Sequence, residues 1–267
     1  MRGIHSERLV AEATRLKLRG YLTLGSVGLL FLLGDPFQRI VITTAVKVLP
    51  SRRDRILGRW QRFLAHSILG MVRHIGGASI GDLPRLPSQP GVLVVMNHQS
   101  VLDIPLVVAA HDDLYPVIVT RARYSRGKPV ISHMVRLYQY PVVDPRATVR
   151  GHLSTLAEVA REATTPVVIY PEGTRSRDGQ IGAWKRRGLK VILESRQWSV
   201  YLVVADGLWQ VARLDDFVRS VSSVRARIVR LGPFTSPAPG ESMEDFMDEM
   251  KERMQEALEE LRAASPE

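Results

Sequence analysis

The sequence predicts an α/β protein with a mixed, largely parallel sheet flanked by helices and an N-terminal membrane-associating helical segment. Three observations predict this class. Short β-branched apolar runs alternate with helical patterns, polar clusters follow two of these runs directly, and a long uncharged run lies near the N-terminus. The 267 residues are 45% hydrophobic and 24% charged, a globular composition that excludes collagen, low-complexity and coiled-coil proteins.

The N-terminal region begins with mixed charge, so it lacks the layout of a signal peptide. Residues 20–34 carry no charge, Asp35-Pro36 interrupts this run, and a second apolar run covers 40–46. At ~1.5 Å per residue the first run reaches only about 22 Å, less than the ~30 Å hydrocarbon core of a bilayer. We therefore expect two short helices that lie in or dip into one leaflet, bracketed by basic clusters that suit anionic headgroups. A buried helical hairpin of a soluble protein is the alternative.

The remaining helices and strands are predicted from the spacing of apolar residues and from the residues that typically begin or end such elements. The expected helices cover 59–76, 151–163, 184–195 and 241–263, and the expected strands cover 92–96, 115–120, 140–143, 166–170, 199–205 and 223–231. The last helix is acidic and amphipathic, and Ser242 is expected to open it with Asp245 at the third helical position. This predicts a membrane-associating region at 1–80, an α/β domain at 81–240 and a C-terminal helix at 241–267.

The charge distribution indicates a polyanionic partner. The net charge is +10 overall, +9 over residues 1–90 and −7 over residues 241–267. Nucleic acid, an anionic membrane surface and a phosphorylated substrate all fit a basic chain. Because the basic residues flank apolar runs rather than aromatic platforms, we expect no nucleic acid, and a nucleic-acid-binding protein remains only an alternative. The absence of cysteine excludes disulfides, Cys-ligated metals and a cysteine nucleophile.

Two polar clusters, Asn97 to Pro105 and Tyr170 to Arg177, directly follow predicted strands, where ligands bind in open α/β sheets. Within one helix, His98 and Asp103 would lie ~140° apart. They can pair if His98 lies in the turn after the strand and Asp103 begins the helix, as the capping-box-like Ser100-x-x-Asp103 suggests. A carboxylate on one ring nitrogen leaves the other free as a base. The alternative is that Asp103 only caps the helix.

The two clusters together resemble a known motif pair. NHQSVLD (97–103) and PEGTR (171–175) are similar to the N-H-x4-D and E-G-T-R motifs of the glycerolipid acyltransferases, most closely the 1-acyl-sn-glycerol-3-phosphate acyltransferases. The resemblance covers about 60–235. It implies that His98 is the general base and Asp103 its orienting carboxylate. It also implies an acceptor-binding block of Glu172, Gly173, Thr174 and Arg175.

Two other segments of the sequence depart from the pattern of this family. Residues 140–146 read YPVVDPR, with Pro145 inserted before Arg146, which is the candidate phosphate ligand of that segment. The strand 200–204 lacks the proline that the family tends to place there. The basic segment 184–188 makes Lys185 a further candidate, which would supply positive potential near the phosphate or the acyl carrier.

The resemblance implies transfer of a fatty acyl group from acyl-CoA or acyl carrier protein to the free hydroxyl of lysophosphatidic acid, giving phosphatidic acid. With cysteine absent, direct transfer is simplest, since one base suffices to activate the hydroxyl. Ser100 as a covalent nucleophile is an alternative that its expected role as a cap disfavours. Glycerol-3-phosphate, a different lysophospholipid and a lipid amino acid are further candidate acceptors.

No cofactor and no metal are expected. His111-Asp112-Asp113 resembles part of a metal site but has no second ligand pair at a suitable spacing, and phosphate-cradling or dinucleotide glycine motifs are absent. The expected partners are therefore the lysophospholipid acceptor, the thioester donor and an anionic membrane surface. The expected location is membrane-associated, with the active site on the cytoplasmic face of the cell membrane.

Overall fold

The computed structural model describes residues 2–143 and 149–264, without the side chains of 2–13, 149, 150 and 152. Its centre is a six-stranded sheet of order β1-β8-β7-β2-β6-β3, in which only the β7–β8 pair is antiparallel. A separate parallel pair joins β4 and β5. The strands are β1 Ser79–Ile80, β2 Val92–Met96, β3 Val117–Ile118, β4 Thr120–Arg121, β5 Val142–Val143, β6 Val167–Ile169, β7 Ser199–Asp206 and β8 Arg225–Thr235. The predicted fold class is confirmed.

Helices flank this sheet. They are α1 Arg2–Phe37, α2 Thr43–Val48, α3 Arg53–His74, α4 Asp103–Ala109, α5 Ile131–Leu137, α6 Val149–Glu162, α7 Arg186–Ser195, α8 Leu214–Ser220 and α9 Glu244–Ala263. Every residue of β2 and β6 is buried, which explains why both strands read as continuous apolar runs instead of alternating ones. Since β2 and β6 are parallel neighbours, the loops that leave their carboxyl ends meet at one edge of the sheet.

The structure corrects part of the strand prediction. The segment predicted as a strand at 140–143 contributes β5 to the small two-stranded sheet and not to the central one. The two-residue strand β1, which the sequence did not predict, extends the central sheet beyond β8. Two residues carry no periodicity, so long-range pairing alone decides where such short strands lie.

The predicted break at Asp35-Pro36 is wrong, because α1 continues through Pro36. The irregularity comes later, as a π-helical turn at Gln38–Ile42 that leads into α2. A proline removes one helical hydrogen bond. Here Asp35 bridges that point, because its carboxylate accepts hydrogen bonds from the Arg39 side chain and from the backbone N–H of Val130, both at 2.7 Å.

The helical segment Thr14–Val48 is long and apolar enough to cross a membrane, judged by length and composition. Large apolar side chains cover its exposed side and continue onto a residue of α3. These are Leu18, Tyr21, Leu22, Leu29, Leu32, Leu33, Phe37, Ile40, Val41, Val48 and Phe63. We call this set the apolar face. A surface of this extent is typical of proteins that bind a membrane or another protein.

The C-terminal helix α9 packs on β7 and β8 through a stripe of buried residues. The stripe consists of Met247, Met250, Met254, Ala257 and Leu258. The predicted cap at Ser242 is wrong, since α9 begins at Glu244 after the fully buried Met243 and has no side-chain cap. Burial of the Met243 side chain therefore fixes the start of this helix.

Candidate active site

The first polar cluster forms the turn between β2 and α4. Asp103 is the first residue of α4 and is fully buried, whereas His98 lies in the turn with 19% of its side chain exposed. The His98 Nδ1–H donates a hydrogen bond to Asp103 Oδ2 at 2.7 Å. This is the pairing that the sequence predicted, with one partner in the turn and the other at the helix start. Because an ionised carboxylate only accepts, the imidazole Nε2 is left with its lone pair.

Asp103 also organises the backbone of the turn. Its Oδ2 accepts the N–H groups of Gln99 at 2.7 Å and Ser100 at 2.8 Å, in addition to the bond from His98. Leu102, and not Ser100, occupies the N-cap position of α4. The Ser100 hydroxyl donates to the Val211 carbonyl at 2.9 Å. One carboxylate therefore holds the ring and the turn together, and the serine hydroxyl is committed to a structural bond.

Two buried amides on either side of His98 anchor this turn to β7 and to the chain after it. The Asn97 side chain exchanges two 2.8 Å hydrogen bonds with the backbone of Ala205. The Gln99 Oε1 accepts the Leu208 N–H, and its Nε2 donates to the Gly179 carbonyl, both at 3.1 Å. Neither amide was predicted from the sequence to have a role. Their position directly beside the histidine is the signal that could have identified them.

The second polar cluster lies in the loop 171–185 between β6 and α7, which we call the acceptor loop because the motif resemblance implies that it binds the acceptor. Glu172 is 4% exposed, and both its carboxylate oxygens bind backbone N–H groups: Oε1 that of His98 at 2.8 Å and Oε2 that of Gly182 at 2.9 Å. Burial raises the pKa of this carboxyl against the opposing effect of the two N–H donors. The Ser176 N–H donates in turn to the His98 carbonyl at 2.7 Å. The two polar clusters therefore lie together at one edge of the sheet.

Cationic side chains surround the acceptor loop. Gly173 has a φ of +61°, and a Cβ there would lie 2.9 Å from Lys185 Nζ, so the lysine side chain crosses over this glycine. The Arg121 guanidinium also donates to the Gly173 carbonyl. Arg175 donates to the carbonyl of Ala212. Arg121 belongs to β4 and was not predicted as a site residue.

Of the two remaining predicted residues, the structure describes only one. Thr174 is exposed in the acceptor loop. Arg146, the predicted phosphate ligand of the YPVVDPR segment, lies outside the described residues.

Tyr170 covers one face of the imidazole. The Tyr170 and His98 rings have centroids 4.5 Å apart and planes inclined by 33°. The Tyr170 hydroxyl is buried and has no hydrogen-bond partner among the described residues, and burial raises its pKa. With Tyr170 on its face and Asp103 on its Nδ1 edge, the His98 ring is held in one orientation.

This arrangement can perform base catalysis on a ligand that carries a hydroxyl and an anionic group. It presents an oriented imidazole, and cationic side chains lie on the adjacent loop. Within residues 2–143 and 149–264, no group of three or more His, Asp or Glu side chains is placed to hold a metal ion. His111, the candidate of the incomplete metal motif, is buried, and its Nδ1–H donates to the Val107 carbonyl at 2.7 Å.

The segment that carries both polar clusters matches a known protein family. A sequence profile of the Acyltransferase family matches residues 79–206, which contain both polar clusters. This match assigns residues 79–206, just under half of the chain, to the acyltransferase family. The chain is also a distant homologue of the 1-acyl-sn-glycerol-3-phosphate acyltransferases.

A curated relative and a crystal structure are similar to this chain. The chain is 29% identical over 166 residues to a 1-acyl-sn-glycerol-3-phosphate acyltransferase of Helicobacter pylori strain J99, and the match covers 61% of this chain and 66% of that protein. The chain thus spans just under two thirds of that relative's length. The crystal structure of the 1-acyl-sn-glycerophosphate (LPA) acyltransferase PlsC from Thermotoga maritima superposes with a TM-score of 0.66 and 18% identity, covering 100% of both chains. This likeness shows a shared fold.

Proposed function

We propose that this protein is a lysophosphatidic acid O-acyltransferase that uses acyl-CoA or acyl carrier protein as donor and forms phosphatidic acid. The observation that carries the proposal is the 2.7 Å bond between His98 and Asp103 at the same sheet edge as the acceptor loop. Membership of the acyltransferase family supports the reaction type. Similarity to a curated enzyme of this activity supports lysophosphatidic acid as the acceptor.

In the proposed mechanism, His98 Nε2 takes the proton from the acceptor hydroxyl as that oxygen attacks the thioester carbonyl carbon. The tetrahedral intermediate collapses, the carbon–sulfur bond breaks, and the proton on His98 passes to the leaving thiolate. Asp103 fixes the tautomer and stabilises the imidazolium that forms between the two steps. The ester and the free thiol are the products, and His98 returns to its starting state.

We assign the acceptor phosphate to the cationic side chains of the acceptor loop. Arg175 uses one guanidinium nitrogen for the Ala212 carbonyl, which leaves the rest of its planar fork for phosphate oxygens. Lys185 and Arg121 both contact Gly173 and add positive charge to the same loop. The resemblance implied that Glu172 belongs to the acceptor-binding block. Because both its oxygens bind backbone N–H groups, we propose that it positions the His98 turn against the acceptor loop.

We further propose that the apolar face lies in one leaflet of an anionic membrane. The α1 helix and the turn after it are held along the side of the α/β domain, because Gly20 packs on the backbone of Val218 and the Gln38 side chain donates to the Val130 carbonyl at 3.0 Å. These contacts tie about 27 Å of helix to the domain, at ~1.5 Å per residue. A helix fixed in this way cannot cross the bilayer unless the α/β domain also enters the membrane. Location at the cytoplasmic face stays a prediction.

The function is tested by donor and acceptor profiling of the purified protein. Because the chain has no cysteine, a thiol reagent detects released CoA without background from the protein. We expect thiol release that depends on lysophosphatidic acid, with phosphatidic acid identified by lipid mass spectrometry. Release with only glycerol-3-phosphate or another lysolipid would change the acceptor assignment. No release with any acceptor from either acyl-CoA or acyl carrier protein would overturn the proposal.

The membrane arrangement is tested with single cysteines in this cysteine-free chain. Leu32 lies on the apolar face and Glu252 lies on the exposed side of α9. With anionic vesicles, we expect an environment-sensitive dye on Leu32→Cys to shift its emission to the blue while the dye on Glu252→Cys does not shift. An unshifted Leu32→Cys signal would contradict the proposed insertion.

A further inference from the structure

The C-terminal helix reaches the acceptor loop through Arg262. In the last turn of α9, Arg262 Nη2 donates to the Gly179 carbonyl at 3.0 Å and also lies 3.1 Å from Asp206 Oδ1. A Cβ on Gly179 would lie 2.6 Å from that nitrogen and 2.7 Å from Trp209, so this glycine is tightly packed between the two side chains. The same carbonyl accepts the Gln99 side chain, one residue from His98.

The other end of α9 holds the end of the same loop. Arg186, the first residue of α7, forms ion pairs with Asp248 at 2.9 Å and with Glu244 at 3.0 Å. Lys190, one turn further along α7, lies 3.0 Å from Glu244. The α9 helix therefore contacts Gly179, inside the acceptor loop, through its last turn. Through its first turns it contacts α7, the helix that follows the acceptor loop. Through these two sets of contacts, α9 fixes both the middle and the end of the loop.

We propose that Arg262 is a positioning residue for acceptor binding, and that it acts by fixing the acceptor loop through the Gly179 carbonyl. The inference rests on the proposed acyltransferase function. Residues 241–267 lie outside the segment matched by the family profile, so the family match assigns no role to α9. The α9 helix is then a part of the acceptor site and does more than cover the sheet.

The contacts of the loop explain how this effect reaches the site. Without Arg262, and among the residues that the structure describes, the Gly179 carbonyl keeps its bond to Gln99 and the Asp206 carboxylate keeps its ion pair with Arg227 at 3.5 Å. The loop near Gly179 then loosens, together with the Gly182 N–H that holds Glu172. Acceptor binding should weaken because the loop carries the phosphate-binding side chains. We expect donor binding to be unaffected, because the proposal assigns this loop to the acceptor phosphate.

The test compares KM values for acceptor and donor in Arg262→Ala and Arg262→Lys. Lysine keeps the charge beside Asp206 but lacks the fork that also reaches Gly179. For both variants we expect KM for lysophosphatidic acid to rise about tenfold, the scale of one lost charge-assisted hydrogen bond, with donor KM unchanged. A purely structural role would lower the active fraction and so reduce kcat at unchanged KM. Unchanged acceptor KM in both variants would overturn the inference.

Two variants serve as controls. Arg253→Ala lies on the same helix, where its ion pair is with Glu249 at 2.7 Å, away from the acceptor loop. Arg227→Ala removes the other cation beside Asp206 but leaves the bond between Arg262 and Gly179. We expect both controls to keep the wild-type KM for the acceptor. A KM rise in Arg227→Ala equal to that in Arg262→Lys would assign the effect to Asp206 and overturn the role of the Gly179 bond.

Hydrogen exchange provides a readout that does not require activity. Peptides covering 172–185 in the full-length protein should exchange faster in Arg262→Ala than in wild type, and at the wild-type rate in Arg253→Ala. Equal exchange in all three proteins would overturn the inference. If the wild-type protein transfers no acyl group, the proposed function fails while this experiment still decides whether Arg262 fixes the loop.

Discussion

The two loops at the carboxyl edge of the sheet are built in different ways. In the turn 97–103, a single carboxylate, Asp103, accepts three donors from the five residues before it. In the acceptor loop, Glu172 reaches the other turn, Arg175 reaches Ala212, and Gly179 is held from α9. The His98 ring is thus held mainly by a local contact, although Asn97, Gln99 and Ser100 also anchor the turn to residues 205–211. The acceptor loop instead depends mainly on segments distant in the chain. The ring orientation should therefore be most sensitive to a change at Asp103, whereas the acceptor loop should be sensitive to changes at remote residues.

The largest effect should come from Asp103→Asn, which breaks the local turn at its centre. An amide at this position presents a donor as well as an acceptor, so it disturbs both the His98 tautomer and the backbone bonds. In a comparable triad, the same change lowers kcat about 10⁴-fold, and we expect a loss of about 10³- to 10⁴-fold here. The measurement is thiol release at saturating substrates. A loss below tenfold would show that the carboxylate does not orient the ring.

A smaller effect is expected for Glu172→Gln, which weakens the link between the two loops. The amide nitrogen would face one of two N–H donors, so either the His98 turn or the Gly182 segment must shift. Since a displacement of about 1 Å can cost about 10²-fold in rate, we expect kcat/KM to fall about a hundredfold. The kcat and KM values should both change. A rise in acceptor KM at full kcat would instead favour direct contact between Glu172 and the acceptor.

Arg175→Ala should affect acceptor binding and leave the turn intact. Removing the guanidinium removes its bond to Ala212 and the proposed phosphate contact. We expect KM for lysophosphatidic acid to rise about ten- to a hundredfold, the range for hydrogen bonds to a charged group. The matched control is Arg177→Ala, which removes an exposed arginine from the same loop and should leave KM unchanged. Equal effects in both variants would indicate a general loss of positive charge.

The smallest effect on activity should come from His111, which lies outside both loops. Burial lowers its pKa to about 4, whereas an unfolded histidine titrates near 6.5. The unfolded chain therefore binds the proton more readily between these values. The stability that neutral His111 contributes is complete above about pH 6.5, and about 3 kcal/mol of it is lost as the pH falls towards 4.

Denaturant unfolding of wild type and His111→Gln at pH 7 and pH 4.5 measures this contribution. We expect the variant to lose less free energy of unfolding on acidification, with activity at pH 7 unchanged. Identical losses in the two proteins would exclude His111 as a source of acid sensitivity. The experiment also separates the pH dependence of stability from that of the two loops.

How much of the fold the sequence predicts depends on element length and on where the contacts lie. The strands β2, β6 and β7 are continuous apolar runs because both of their faces are buried, and the sequence predicts them well. The two-residue strands β3 and β5 lie within segments predicted as strands, but the division of these segments between two sheets depends on distant partners and could not be predicted, and β1 was missed. The expected break at Pro36 was wrong for a related reason, since the Val130 N–H that binds Asp35 lies far along the chain.

How well the site could be predicted also depends on whether each contact is local or joins residues distant in the chain. The pairing of His98 with Asp103 was predictable because the two residues are five positions apart and a helix start separates them. The motif resemblance indicated that Glu172 belongs to the site, but not that its oxygens bind the backbone of the other loop. Arg262 and Gly179 are 83 residues apart in the chain, so no local sequence pattern predicts their contact.

The central claim is that the His98 imidazole removes the proton from the acceptor hydroxyl. It is tested most directly by thiol release dependent on lysophosphatidic acid in wild type and His98→Ala, with thermal melting as a check on folding. The account predicts that His98→Ala melts close to the wild-type temperature and releases thiol no faster than a control without protein. Release at the wild-type rate by folded His98→Ala would contradict it.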